Sequence, residues 1–229
     1  MFARVGDQIA KMGYNMLMNL DPLSLGAVFF ALVVGLVLHE FMHAYVGYRL
    51  GDDTAHAQGR ITLNPMAHID PFTTLMLPFF LLLAGLPVFA AAKPVPFNPW
   101  ALRGGKWGAA AVAAAGPLTN LSIAIFCGLW LHLLPTSALA FTILESMVLV
   151  NVGLFVFNSI PLPPLDGSRV LYAVVPESAR EVMDRIEHAG LIVIFGFVAI
   201  MWYTPLGAML GGLIRGITAF LLPAGTLGI

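Results

Sequence analysis

The sequence predicts an all-α, polytopic membrane protein of about five to six transmembrane helices. One segment, residues 71–92, reads as re-entrant or broken, and short extended loops flank a buried polar site. Three observations predict this class. Of the 229 residues, 59% are hydrophobic and only 10% are charged, with a mean hydropathy of +0.88; an average soluble domain is about 25% charged. Several windows exceed the roughly 18 apolar residues a helix needs to cross a bilayer. These windows run on without the alternation in short segments that marks the strands of a membrane barrel.

The elements follow in chain order. Residues 1–22 mix Met12, Tyr14, Leu17 and Leu20 with polar side chains, the pattern of an interfacial helix rather than a span. A first apolar segment covers residues 23–50, and between Leu23 and Tyr48 its only formally charged side chain is Glu40. Residues 51–70 are polar, with turn signals at Gly51, Gly59 and Asn64–Pro65. The second segment, 71–92, is interrupted by Pro78, Gly85 and Pro87. In residues 93–106, KPVPFNPWALRGGK, the prolines favour extended backbone. Two further spans, 107–134 and 138–160, are joined by a connection of Pro135, Thr136 and Ser137. Then come PLPPLDG, a polar patch at 177–188, and apolar stretches at 190–203 and 206–222. With no internal repeat and no soluble module in view, residues 23–229 read as a single membrane-embedded domain.

Charge and cysteine content narrow the function classes. A net charge of -1 lacks the basic footprint expected of a nucleic-acid partner. One cysteine, Cys127, excludes an intrachain disulfide and a cysteine-built zinc site, and its apolar neighbours make it a small core residue. The first apolar run continues straight into polar chemistry without a small-residue cleavage site, so no removable signal peptide is expected.

That chemistry lies in VLHEFMHAYVGYRL, residues 37–50. His39 and His43 are four residues apart, which places both rings on one helix face about a turn from each other. Two imidazoles so placed can grip one zinc ion at roughly 2.0–2.1 Å per nitrogen. Glu40 can then sit beside the remaining coordination position, where a zinc-activated water has its pKa lowered to about 7. A carboxylate there can take the water's proton and later pass one to a leaving amine. The spacing is that of the H-E-x-x-H zinc hydrolases. A bare five-residue pattern also arises by chance, but ionisable groups at the centre of a span cost at least about 2.5–3.5 kcal/mol each and are functional by default. Three within five residues call for a shared ion.

A catalytic zinc needs a third protein ligand and an open position. His56, His68, Asp70, His132, Glu145, Asp166 and His188 are available. Asp166 has the most suggestive setting: it follows a span and a stretch in which Pro161, Pro163 and Pro164 remove backbone donors. Irregular backbone at membrane depth is tolerated only where it is buried in protein or lines a wet cavity. Asp-Gly after prolines also reads as a turn or helix cap, so the residues alone leave the third ligand open.

His39-Glu40-Phe41-Met42-His43 in one span, with Asn158-x-x-Pro161-x-Pro163-x-x-Asp166-Gly167 after a later one, resembles the site-2 protease family of intramembrane zinc metalloproteases. The Gly116-Pro117-Leu118-Thr119-Asn120 stretch is similar to that family's looser third motif. The resemblance implies one zinc ion per chain, held by His39, His43 and Asp166, with Glu40 as the catalytic acid and base. It also implies that Asn120 and Asn158 lie near the site as substrate-peptide or oxyanion partners, although amides in spans commonly just bond one helix to another. The substrates implied are transmembrane or signal-peptide-like helices of other proteins, cut within or near the bilayer. The form is the minimal one, without a PDZ or nucleotide-sensing domain, which suits a prokaryotic plasma membrane. The competing class is a metal-ion transporter or a metal-binding membrane protein without proteolytic activity. Such a path needs polar groups along its length, and residues 107–134 and 138–160 offer few. Oligomeric state leaves no readable pattern.

The implied ligand set constrains topology. If Asp166 is to reach His39 and His43, one of the three intervening segments cannot cross, and 71–92 is the weakest. Arg49, Arg60, Lys93, Arg103 and Lys106 then share the side on which the first span ends, against Arg4 and Lys11 opposite. The positive-inside rule makes the former side cytoplasmic. His43 precedes Leu50 by about 10 Å of helix, so the site is expected inside the membrane but nearer that face. Residues 59–63 and 93–99, extended in character, are candidates for an edge that receives an unwound substrate as an added strand.

Overall fold

Asp21 starts the first long helix. Its Oδ1 accepts from the backbone N–H groups of Leu23 and Ser24 at 2.9 and 3.0 Å, and Pro22 fills the first position, where a missing N–H costs nothing. The computed structural model describes residues 21–76 and 93–226. Among them are eight α-helices and no strand: α1 Pro22–Arg49, α2 Thr54–Ala57, α3 Lys106–Leu133, α4 Ala138–Asn158, α5 Asp166–Val174, α6 Glu177–His188, α7 Leu191–Tyr203 and α8 Pro205–Leu221. A 3-10 turn at Pro65–Ala67 and a π-helical turn at Pro71–Met76 lie between α2 and α3. The interfacial helix expected over residues 1–22, and most of the re-entrant segment expected over 71–92, fall outside the described residues.

Among the described residues three helices, α1, α3 and α4, are long and apolar enough to cross a membrane, or four spans if the bent pair α7–α8 counts as one. This is fewer than the five to six expected. The last two apolar stretches are individually short, at 13 and 17 residues, against the roughly 20 a span needs. They meet at Thr204–Pro205 with an 84° bend, because proline cannot continue the preceding helix.

The bundle is built on small residues. Along α1 the buried positions include Ala27, Ala31, Gly35, His39, His43 and Gly47, every fourth residue, so the small-residue stripe runs directly into the two histidines. On α3 the buried small residues include Ala113, Gly116, Ala124 and Gly128; Gly116 faces the two histidines, and Gly128 packs against Leu221 at the end of α8. Small side chains let helix backbones approach closely where no water-driven force holds them together. An apolar core of Ala31, Ala124, Cys127, Leu131, Met147, Val148, Val152, Val156 and Leu222 fills the middle of the α1–α3–α4 packing.

α3 runs antiparallel to α1: Val112 lies by His43 and Asn120 by His39. The Arg103 N–H also donates to the Leu50 carbonyl at 2.8 Å. Residues 51–105 therefore leave α1 and enter α3 at the same end of the bundle, making no net crossing. α4 returns to that end, which is how Asp166 comes to stand beside the α1 histidines.

The described parts of this connection, residues 51–76 and 93–105, are held by buried polar groups. Residues 59–63 form bends after Gly59, whose φ of +66° suits glycine. No strand forms here or at residues 93–98. Arg60, 4% exposed, donates to the carbonyls of Ala67, Lys93 and Pro94. The Lys93 N–H donates to the His68 carbonyl at 2.8 Å, and His68 Nε2 to the Thr62 carbonyl at 2.8 Å. Asp52 accepts from the Thr54 N–H and hydroxyl and from the Asn98 N–H. Burial pushes the Asp52 carboxyl upward, but these donors outweigh it and hold the pKa below its ordinary value.

Candidate metal centre

His39 and His43 are 4% and 8% exposed, and their Nε2 atoms face each other at 2.9 Å. Asp166 Oδ2 lies 3.0 Å from His39 Nε2 and 3.3 Å from His43 Nε2. The three form a group whose candidate ligand atoms all lie within 4.8 Å of one another. Tetrahedral ligands about 2.0–2.1 Å from a zinc ion stand roughly 3.3 Å apart, so the triangle has the right scale.

Each member is placed for a local reason. The histidines share the buried stripe of α1. Gly116 of α3 faces them: a Cβ there would lie 2.6 Å from His39 Nε2, so only glycine admits both rings against this helix. Asp166 opens α5 after the turn closed by the Leu165 N–H on the Leu162 carbonyl at 2.8 Å. A Cβ on Gly167 would come within 2.6 Å of the Ile160 carbonyl oxygen. The Asp-Gly pair thus lets the start of α5 press against the end of α4 and turn the carboxylate inward.

The outer ring nitrogens decide what the inner ones can do. His43 Nδ1 lies 2.7 Å from the Val112 carbonyl, which only accepts, so Nδ1 carries the proton. His39 Nδ1 lies 2.6 Å from Asn120 Oδ1. The Asn120 amide nitrogen donates to the Gly35 carbonyl at 3.1 Å and to Asn151 Oδ1 at 2.9 Å, which fixes its oxygen toward His39. In their neutral form both rings therefore carry the proton on Nδ1 and a lone pair on Nε2. In that form two lone pairs and a carboxylate converge on one point. That donor set fits a cation.

Glu40, 8% exposed, adjoins His39, and its carboxylate has no hydrogen bond or ion pair with a described residue. Asn120 is fully buried, with its oxygen on His39 and its nitrogen on Gly35 and Asn151. Its bonds thus go to a candidate ligand ring and to the two neighbouring helices α1 and α4. Asn158, the last residue of α4, donates to the Leu154 carbonyl at 3.0 Å and makes no bond to the three candidate ligands. Other candidates stay away from the group: His56 pairs with Asp53, and His188 with the Asp184 carbonyl. Sequence reasoning passed over Asn151, although a primary amide in an apolar span was the signal that could have found it.

A family model described as peptidase family M50 matches residues 133–202, a stretch that holds Asn158 and Asp166. YwhC of Bacillus subtilis (strain 168), named as a candidate zinc metalloprotease, is 39% identical over 187 residues, spanning 77% of this chain and 80% of its own. The chain belongs to peptidase family M50, the site-2 proteases. It is a metallopeptidase. Rip2 of Mycobacterium tuberculosis (strain ATCC 25618 / H37Rv), also named as a candidate zinc metalloprotease, is 29% identical over 189 residues, covering 79% of this M50 chain and 71% of its own. No solved structure matches the chain significantly.

Proposed function

We propose that this M50 chain is an intramembrane zinc metalloprotease that hydrolyses peptide bonds within or near the transmembrane segments of other membrane proteins. One observation carries the reading: two imidazoles and a carboxylate converge inside a bundle of helices long and apolar enough to span, beside the Glu40 carboxylate, which has no hydrogen bond or ion pair among the described residues. His39, His43 and Asp166 would hold the zinc. When bound, zinc supplies Lewis-acid polarisation and makes water a usable nucleophile near neutral pH.

The chain's own groups do the rest. Glu40 takes a proton from the attacking water and delivers it to the leaving amine, a role worth about 10²–10⁴-fold in rate. Asn120 holds the His39 ring. Asn158, beside the strap that delivers Asp166, is a hydrogen-bond partner for the substrate backbone. The buried setting keeps bulk water from competing for the substrate's polar groups. A helical substrate hides its carbonyls in its own hydrogen bonds, so transmembrane or signal-peptide-like helices must unwind before they are cut. Arg49, Arg60, Lys93, Arg103 and Lys106 cluster at the end of the bundle where the site lies, which favours the cytoplasmic side of a prokaryotic plasma membrane.

The test is cleavage of a labelled transmembrane peptide by the purified chain in liposomes. Wild type is expected to cleave and to stop on chelation; Glu40→Gln is expected to keep its zinc and lose activity by at least about 100-fold. Normal cleavage by Glu40→Gln removes Glu40 from the mechanism. Zinc movement across the liposome without peptide cleavage replaces the protease with a transporter.

A further inference from the structure

We infer that Asn151 is a positioning residue for the metal centre: acting through Asn120, it fixes which nitrogen of His39 keeps its lone pair toward the ion. The inference rests on the reading of His39 as a metal ligand. Asn151 lies on α4, is 0% exposed, and directs its hydrogen bonds to Asn120 and Met147 rather than to either histidine. Its amide nitrogen donates to the Met147 carbonyl at 2.8 Å. A backbone carbonyl only accepts, so the Asn151 oxygen must point the other way, toward Asn120. It accepts there from the Asn120 amide at 2.9 Å.

The polarity then propagates. With its nitrogen committed to Asn151 and to Gly35, Asn120 can present only oxygen to His39 Nδ1 at 2.6 Å. Turning Asn151 over would set nitrogen against nitrogen at Asn120 and oxygen against oxygen at Met147, losing both bonds at once. The chain from Met147 to His39 therefore has one direction, and both amides in it are 0% exposed. The structure makes room for it: a Cβ on Gly35 would stand 2.9 Å from Asn151 Oδ1. Partners that orient a ligating histidine typically change metal affinity by about 10–100-fold when removed. Asn151 acts one bond further out, and Gly35 remains as a second anchor for Asn120, so the low end applies.

The experiment uses the full chain in detergent micelles, with zinc affinity measured by chelator competition and ligand-field bands recorded after cobalt loading. Asn151→Leu keeps the branched shape and removes the acceptor; Asn151→Asp keeps an acceptor for Asn120 in either protonation state. Asn151→Leu is expected to bind zinc about 10-fold more weakly, with displaced cobalt bands, while Asn151→Asp stays within about 3-fold of wild type with unshifted bands. If Asn151→Leu does not accumulate, Asn151→Ala replaces it in the same comparison. Wild-type affinity and bands in the variant without an acceptor overturn the inference. So does an equal loss in both variants, which marks packing alone. Zinc binding that is the same in wild type and His39→Ala instead removes the underlying reading of the ligands.

Discussion

Arg60 and Asn120 are both buried, yet they direct their hydrogen bonds to different ends. Arg60 sends its guanidinium into three backbone carbonyls, those of Ala67, Lys93 and Pro94. It has only donors and is always charged, so orientation within that nest is never in question. Asn120 carries one acceptor and one donating nitrogen, and each must face the correct neighbour for His39 to present a lone pair. The first arrangement pins a long connection to itself. The second gives an imidazole a direction. A donor-only fork serves where backbone is to be gathered; an alternating amide chain is needed where one nitrogen must be left bare.

The comparison can be broken at several points, the largest effect coming first. Replacing Asp166 with alanine removes one of three candidate ligands, and stoichiometric zinc is expected to be lost from the purified protein, read by metal analysis after dialysis. Zinc retained at one equivalent would take Asp166 out of the site. Gly116→Ala places a methyl against both rings; a fall in zinc affinity of about 10–100-fold is expected by chelator competition. Unchanged affinity would mean that α3 yields at this point. Arg60→Ala should leave zinc affinity intact while lowering stability by about 3 kcal/mol, since three carbonyls lose a charged donor. Thermal unfolding in micelles measures this, and Arg60→Lys is expected to recover only part of it, since an ammonium cannot reproduce the planar fork. A loss of zinc in Arg60→Ala would show that the two networks are coupled.

The smallest effect concerns acid. The Asp52 carboxyl has a folded pKa below its unfolded value near 3.9. Its contribution is therefore complete above about pH 4 and is lost as pH falls through the folded value. Unfolding midpoints recorded from pH 5 downward should fall less steeply for Asp52→Asn than for wild type. Equal slopes would assign the acid sensitivity to another group.

What the sequence disclosed depended on how local the pattern was. His39, Glu40 and His43 are legible because a helix repeats every 3.6 residues and because ionisable groups in a span demand an explanation. Asp166 was a candidate from its irregular backbone, and the resemblance selected it from seven. The partnership of Asn120 with His39 joins positions 81 apart, and a span amide bonded to another helix looks the same in one dimension. Asn151 left only a single polar letter in an apolar run. Residues 190–203 and 206–222 each read as a span because composition records apolarity but not the bend at Thr204–Pro205. Residues 59–63 and 93–99 form no strand in the chain by itself, and an edge that only a substrate would complete leaves no ladder to see.

The four-residue repeat along α1 carries one more consequence. Successive positions at that interval advance by about 40° around the axis, so the line from Ala27 to Gly47 is a slow spiral. Gly35 looks toward Asn151 on α4, and Gly47 toward Val112 on α3. The histidines occupy the stretch where the helix trades one neighbour for the other. A single residue inserted between Ala27 and His39 would swing both rings by about 100°, turning the pair away from Asp166 without altering hydropathy, length class or motif. The spacing upstream of the motif is thus as much a part of the candidate metal centre as the motif itself.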